Sequence, residues 1–236
     1  MSDTHFDLIL NKVIKAIDDY KMIEKGDKVL AAVSGGKDSL SMMHLLNHIQ
    51  KKGIFDFELV VCNVDLGYGC ANKDHLRQHF QKHDINSILV ENNMLKDKKR
   101  EEITCFWCSW NRRRVIFDIA RKNDCAKLSL GHHLDDIIHT ALLNILFHGE
   151  ISTSTPYLSM FNDTLALIRP LSYIKEEEAA EFAKSFDLPV SCCSCPQKLT
   201  SKRTLINETF TPLFDKYPYA RDNAYKALSE LANKSA

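Results

Sequence analysis

The stretch KVLAAVSGGKDSLSMMHLL, Lys28 to Leu46, sets a β-prone apolar run directly against a glycine pair, a lysine, an aspartate and a helical pattern. A strand, a tight glycine turn and a helix start leave several backbone N–H groups unpaired around one point, where the helix dipole also favours an anion. This is the geometry of a phosphate-binding loop. Outward from it, apolar runs alternate with helical patterns. KVLAAV (28–33), FELVVCNV (57–64), NSILV (86–90) and AKLSLG (126–131) are expected strands, with helices starting near Lys37, Asn72, Cys108 and His133. Strands separated by helices imply an α/β fold with a parallel sheet and right-handed crossovers. Ligands then sit at the carboxyl ends of the strands, where Ser34-Gly35-Gly36, Asp65 and Gly131-His132 fall.

The flanks are helical. Phe6, Ile9, Leu10, Val13, Ile14 and Ile17 recur at helical spacing, which predicts an amphipathic leader helix packed on the main domain. Residues 149–167 read as a polar loop, followed by a short strand into IRPL and a helix near Lys175 to Phe186. Two further patterns, Ser201 to Lys216 and Tyr219 to Asn233, form a small C-terminal helical element. The expected division is a leader at 1–26, a nucleotide domain at 27–190 and a cysteine-rich helical segment at 191–236.

With 44% hydrophobic residues among 236, the chain can bury a sizeable core. Its 31 basic and 31 acidic residues cancel, so whole-chain charge does not call for a polyanionic partner and only local asymmetry can. The charged N-terminus does not resemble a signal peptide, and no apolar run reaches the length of a membrane span. The expectation is a cytoplasmic protein with no membrane partner, whose clustered cysteines serve metal or redox chemistry.

A Walker A loop needs glycine at position 31, where alanine stands, which weakens the kinase-type reading. What remains is S-G-G-K-D-S, Ser34 to Ser39, with two hydroxyls, two glycines, Lys37 and Asp38 at one helix start. A second motif, LGHHLDDIIHT (130–140), ends a strand at Gly131 and opens a helix carrying His132, His133, Asp135 and Asp136. Paired carboxylates beside phosphates point to Mg²⁺, which binds through one or two carboxylates plus phosphate oxygens, although acidic residues also cap helices. The adjacent histidines point in different directions, which argues against a zinc site.

CFWC (105–108) and CCSC (192–195) are far apart in the chain, so spacing leaves zinc, an iron–sulfur cluster and a redox pair all open. Cys62 in an apolar strand and Cys125 read as buried, unreactive thiols.

S-G-G-K-D-S resembles the pyrophosphatase loop of N-type ATP pyrophosphatases, which cleave ATP between the α and β phosphates. KMIEKGDKVLAAVSGGKDSL, TCFWCSWNRRR, LSLGHHLDDIIHTALLN, LIRPLSYIKEEEAAEFA and the late cysteine cluster stand in the order seen in the tRNA 2-thiocytidine synthetase family, over most of residues 20–230. The resemblance implies a Rossmann-like adenine nucleotide alpha hydrolase (PP-loop) fold and an ATP-dependent tRNA thiolase using ATP, Mg²⁺ and a [4Fe-4S] cluster. It implies Cys105, Cys108 and Cys192 as cluster ligands, Cys193 and Cys195 being rivals for the third place. Nucleotide binding falls by the same resemblance to Ser34, Gly35, Gly36, Lys37, Asp38, Ser39, Asp65, Gly131, His132 and Asp136. Lys37, Asp38, Asp135 and Arg112 are the expected catalytic residues, with Mg²⁺ expected near Asp38 and Asp135. The implied partners are tRNA and a sulfur donor, either sulfide or a cysteine desulfurase system, with a homodimer left open. In place of the family's lysines the segment HGEISTSTPYL (148–158) carries none, whereas 98–114 holds six basic and two acidic residues. The basic segments, with Trp107 and Trp110 for stacking, are expected to hold an unpaired loop of RNA. The rival readings are a synthetase acting on another tRNA position or a small molecule, and a sensor that binds nucleotide and metal without chemistry.

Overall fold

The computed structural model describes residues 3–66, 73–92, 104–191 and 202–234. The chain opens with α1 (Asp3–Asp19), then β1 (Asp27–Ala32), α2 (Lys37–Lys51), β2 (Phe57–Asp65), α3 (Lys73–Lys82) and β3 (Ser87–Glu91). It continues through α4 (Cys105–Lys122), β4 (Lys127–Leu130), α5 (Leu134–His148), β5 (Tyr157–Met160), β6 (Leu165–Ile168) and α6 (Glu176–Ser185). Two helices follow, α7 (Lys202–Lys216) and α8 (Pro218–Lys234). The sheet order is β3-β2-β1-β4-β6-β5, parallel throughout except for β5. No helix among the described residues is long and apolar enough to cross a membrane.

The alternation of side chains along a strand distributes the core to both faces. Val29 and Ala31 of β1, with Leu59 and Val61 of β2, meet α1, α2, α3 and α6 on one face. Leu30, Val60, Cys62 and Val64 meet Ile116, Ile119 and Ala120 of α4 on the other. Both faces of the central strands are covered, which is why these strands read as continuous apolar runs. The leader helix is part of this core, with Val13 and Ile17 fully buried.

Two expectations need correction. The segment expected as a polar loop, 149–167, contains β5, which pairs antiparallel with β6 through a turn in which Phe161, Asn162 and Asp163 all have positive φ. The helix expected near Cys108 begins at Cys105, because Thr104 Oγ1 accepts the Trp107 N–H at 3.1 Å and caps its first turn.

Under α6, the His44 ring of α2 lies 5.8 Å from Phe182 and 4.9 Å from Phe186. Burial, then the neighbouring His83, His79 and His48, lowers the His44 pKa to about 4. The unfolded chain takes up this proton near pH 6.5, so stability is lost as pH falls from that value through the folded pKa, by up to about 3 kcal/mol. Urea unfolding at pH 7 and pH 5 should show the loss, and His44→Phe should diminish it.

Candidate functional site

Order reverses between β1 and β4: β2 and β3 continue on one side, β6 and β5 on the other. Ligands of open parallel sheets sit outside the carboxyl ends of the strands at such a reversal, and the glycine loop follows β1 there. The loop is tied to the sheet at its base, where Val33 N–H donates to the Cys62 carbonyl at 2.8 Å and the Asn63 amide to the Val33 carbonyl at 2.7 Å. Gly35 has φ +86°, in the region open to glycine. The Ser34 and Ser39 hydroxyls lie 3.1 Å apart, and Ser39 Oγ donates to the Gly36 carbonyl at 2.9 Å. Ser39 is buried, so its hydroxyl braces the loop from below. At the start of α2, Gly36 offers no side-chain cap, and the helix N-terminus keeps its dipole for an incoming anion.

Gly131 explains the placement of the second motif. A Cβ there would stand 2.7 Å from Ser39 Cα and 2.8 Å from Ser39 N. Only glycine lets the end of β4 come this close to the start of α2, and this sets His132 and α5 beside the loop.

Charged groups converge on this junction. Lys37 Nζ pairs with Asp38 at 2.8 Å and with Glu176 of α6 at 3.3 Å. Burial acts to lower the Lys37 pKa, but the hydrogen bonds and charges of Asp38 and Glu176 outweigh it and hold the group above its ordinary value. His133 caps α5: its Nδ1 accepts the Asp136 N–H at 3.4 Å while the Asp136 carboxylate accepts the His133 N–H at 3.2 Å. The same buried ring lies 4.0 Å from Asp38 and 3.5 Å from Asp136 through Nε2, between the two carboxylates. Burial acts to raise the Asp136 pKa, and the charges of His133, Arg203 and His132 bring it below the usual value.

Asp135 is placed differently. It is buried, its Oδ2 accepts the Glu176 N–H at 2.8 Å, and its Oδ1 lies 3.1 Å from Nε of Arg221 on α8. The Arg221 Nε–H is not aimed well enough at that oxygen for a hydrogen bond, so the contact is an ion pair. Arg221 also reaches Glu177 at 2.6 Å and lies 5.6 Å from the Phe214 ring. Arg221→Met should therefore leave a buried carboxylate without its counter-charge and cost about 3–5 kcal/mol in urea unfolding.

Asp65, at the end of β2, pairs with Lys73 at 2.9 Å, and Lys73 with Glu91 at 3.0 Å. His132 accepts a hydrogen bond from Arg169, a buried residue at the end of β6 that sequence reasoning missed. Arg221 and Glu176 were missed as well. Nothing local marks them, because each acts on a residue more than 30 positions away.

Of the expected cluster ligands, Cys108 is half-buried against the α4 face of the core, while Cys105 is described only as the first residue of α4. Cys192, and its rivals Cys193 and Cys195, lie outside the described residues. Ser191, immediately before them, donates its N–H to the Gly35 carbonyl at 2.9 Å, which starts the cysteine segment beside the loop. Arg112, one turn after Cys108, has a buried Nε without a hydrogen-bond partner. Trp110 is 53% exposed, with the Arg114 guanidinium 6.0 Å from its ring. Burial, then Cys125, pushes the Cys62 thiol up to about 12, and burial pushes Cys125 up to about 11, so both are poor nucleophiles. Among the described residues no three His, Cys, Asp or Glu side chains form a set that could hold a metal ion.

The model of the PP-loop domain family matches residues 4–211. The chain is 33% identical to the tRNA-cytidine(32) 2-sulfurtransferase of Geotalea uraniireducens, covering 98% of this chain and 94% of that protein. It is 34% identical to the protein of the same name from Geobacter metallireducens, over 94% of this chain and 89% of the relative. Among solved structures, the U34-tRNA thiolase NcsA from Methanococcus maripaludis with its [4Fe-4S] cluster superposes with a TM-score of 0.80 at 23% identity. That likeness covers 96% of this chain and 78% of the thiolase, and shows the shared fold. A loop built on backbone amides, a glycine that admits it to β4 and near-complete coverage of the relatives lead to one assignment: the chain belongs to the tRNA-cytidine(32) 2-sulfurtransferase family of PP-loop proteins.

Proposed function

We propose that the chain is an ATP-dependent tRNA sulfurtransferase that replaces the C2 oxygen of cytidine 32 in the anticodon loop with sulfur. The observation that supports it most directly is the Ser191–Gly35 hydrogen bond, which sets the start of the late cysteine segment against the phosphate loop. The residues present fit the expected groups. Positions 105 and 108 stand three apart at the start of α4, the spacing of neighbours on a helix face, and Ser191, the last described residue before the late cysteines, is bonded to Gly35. Mg²⁺ needs only one or two carboxylates beside phosphate oxygens, and Asp38 and Asp136 flank His133 in that way.

In this reading the amides of Gly35 and Lys37 and the α2 dipole receive the ATP phosphates, those of Ser34 and Gly36 being held by the Ser39 and Ser34 hydroxyls, with the Lys37 ammonium balancing the charge. Asp38 and Asp136 would hold Mg²⁺ in place of the expected Asp38 and Asp135, because Asp135 is taken up by Arg221 and the start of α6. The C2 oxygen of the base attacks the α-phosphorus, the bond to the β-phosphate breaks, and pyrophosphate leaves from a site whose amides already face the developing charge. Sulfur then takes the place of the adenylated oxygen and AMP departs. A [4Fe-4S] cluster would be held by Cys105, Cys108 and Cys192 and, when bound, would present sulfide-level sulfur to the activated carbon. Arg112, one turn after Cys108, would be the basic group beside it. Asp65, through Lys73, fixes the neighbouring strand ends. Unpaired bases of the RNA stack on Trp110, and Arg113, Arg114, Lys202 and Arg203 meet its phosphates. The division into 1–26, 27–190 and 191–236 assigns these tasks to leader, nucleotide domain and RNA-facing segment. The homodimer has no role in this scheme.

Product analysis with and without tRNA tests the reading. AMP and pyrophosphate should form in a tRNA-dependent way, and mass spectrometry of the tRNA nucleosides should show 2-thiocytidine. ADP as the main product, or an unchanged nucleoside profile, would remove it.

A further inference from the structure

Arg169 stands where β6 leaves the sheet, with its guanidinium buried between the edge hairpin and the end of β4. One terminal N–H donates to the Thr155 carbonyl, and the backbone N–H donates to the Pro156 carbonyl at 2.9 Å. The Nε–H donates to Nδ1 of His132 at 3.2 Å.

That last bond fixes the protonation of the ring. A guanidinium has only donors, so the nitrogen it meets must present a lone pair, and a neutral imidazole then carries its one proton on Nε2. Protonating Nδ1 would turn an N–H toward a cation. The surroundings act in the same direction: burial lowers the His132 pKa to about 4, against the pull of Asp136 and helped by Arg169, Arg203 and His133. The backbone before the ring is set beside the loop, since Gly131 lies close against the Ser39 backbone.

We propose that Arg169 is a positioning residue that holds His132 as a neutral Nε2–H donor to a phosphate oxygen of the bound nucleotide. The assignment rests on the nucleotide site proposed above, and it excludes His132 as general base, general acid or metal ligand. A neutral donor suits a site where charge moves from a base oxygen to departing pyrophosphate, because it strengthens with the charge and keeps its proton. Arg169 itself touches neither ATP nor RNA in this scheme.

Long-range ¹H–¹⁵N spectra of the full-length protein at pH 7 read the tautomer directly, with His132→Gln assigning the resonances. Nε2 should be protonated and Nδ1 bare, unchanged down to about pH 5. In Arg169→Gln the constraint is lifted, and the ring should gain the Nδ1–H form or titrate closer to the ordinary histidine value. In pyrophosphate release, His132→Gln keeps an N–H donor at the right reach and should stay well above His132→Ala, which should lose on the order of 10²-fold. A wild-type ring found as the Nδ1–H tautomer or as imidazolium at pH 7, or a glutamine variant as impaired as alanine, overturns the proposal. The wild-type spectrum needs no variant to fold. A failure of tRNA thiolation would leave it untouched and would count against the proposed function alone.

Discussion

Cys108→Ser is expected to reduce thiolation of tRNA to below detection while ATP binding survives. Serine is close to the thiol in size, and the backbone of the turn is held by its own hydrogen bonds. The Cys108 N–H bonds the Thr104 carbonyl at 3.0 Å and the Trp107 N–H bonds Thr104 Oγ1 at 3.1 Å, so the capped first turn of α4 persists. The change in folding stability should stay near ~1 kcal/mol, within the ordinary range for a half-buried position. A serine oxygen is a poor ligand for iron, whereas a thiolate is the usual one. Iron content per chain should fall with the thionucleoside yield, and calorimetric titration with ATP should be unchanged. Thiolation persisting in this variant would remove Cys108 from the sulfur chemistry.

Gly131→Ala should be as damaging to nucleotide binding as Cys108→Ser is to sulfur transfer. The added carbon would meet Ser39 Cα at 2.7 Å, Ser39 N at 2.8 Å and the Asp38 carbonyl carbon at 3.0 Å. All three are backbone atoms, so no side chain can turn aside. Either β4 retreats or the first turn of α2 moves, and that turn carries the amides that face the phosphates. Crowding of this kind costs about 1–3 kcal/mol of stability. A displacement near 1 Å at a positioned site is worth roughly 10² in rate. Gly36→Ala is the matched control for stability, because its Cβ would make only an ordinary contact, 3.4 Å from Ser34 Oγ. Thermal unfolding and ATP titration of both variants decide whether the Gly131 contact or general crowding is responsible.

Much of this arrangement was legible before any coordinates. The parallel strands were visible because their residues are apolar on both faces, and the loop because Ser34 to Ser39 could serve only a strand-to-helix turn. β5 escaped notice because Tyr157–Met160 is only four residues long, partly exposed and set after a polar stretch, and its turn uses Phe161, Asn162 and Asp163 at positive φ where glycine is usual. Thr104 is an ordinary N-cap signal, and it starts at Cys105 the helix that was expected to start near Cys108. Asp135 and Asp136 look equivalent in sequence. They diverge in the fold because adjacent helical residues point in different directions, one toward Arg221 and the other toward the loop and Arg203. Such long-range pairs, like Arg169 with His132, leave no periodicity or spacing to read.

The participation of α1 in the main core has a consequence for biosynthesis. Ile9, Val13 and Ile17 share one apolar cluster with Met42, Met43 and Leu46 of α2 and with Phe182 and Ala183 of α6. The ribosome makes the first members early and the last more than 160 residues later, an interval on the order of 10–30 s. Through that interval the methionine-rich inner face of α2 has α1 beside it but no α6 to close over it. Pairing elements so distant in sequence is also slow in its own right, since the chain entropy of closing the loop must be met before the contact rewards it. The nascent chain therefore carries an open apolar seam until α6 emerges, and a chaperone that shields such seams during translation should raise the yield of folded protein more than one added after release.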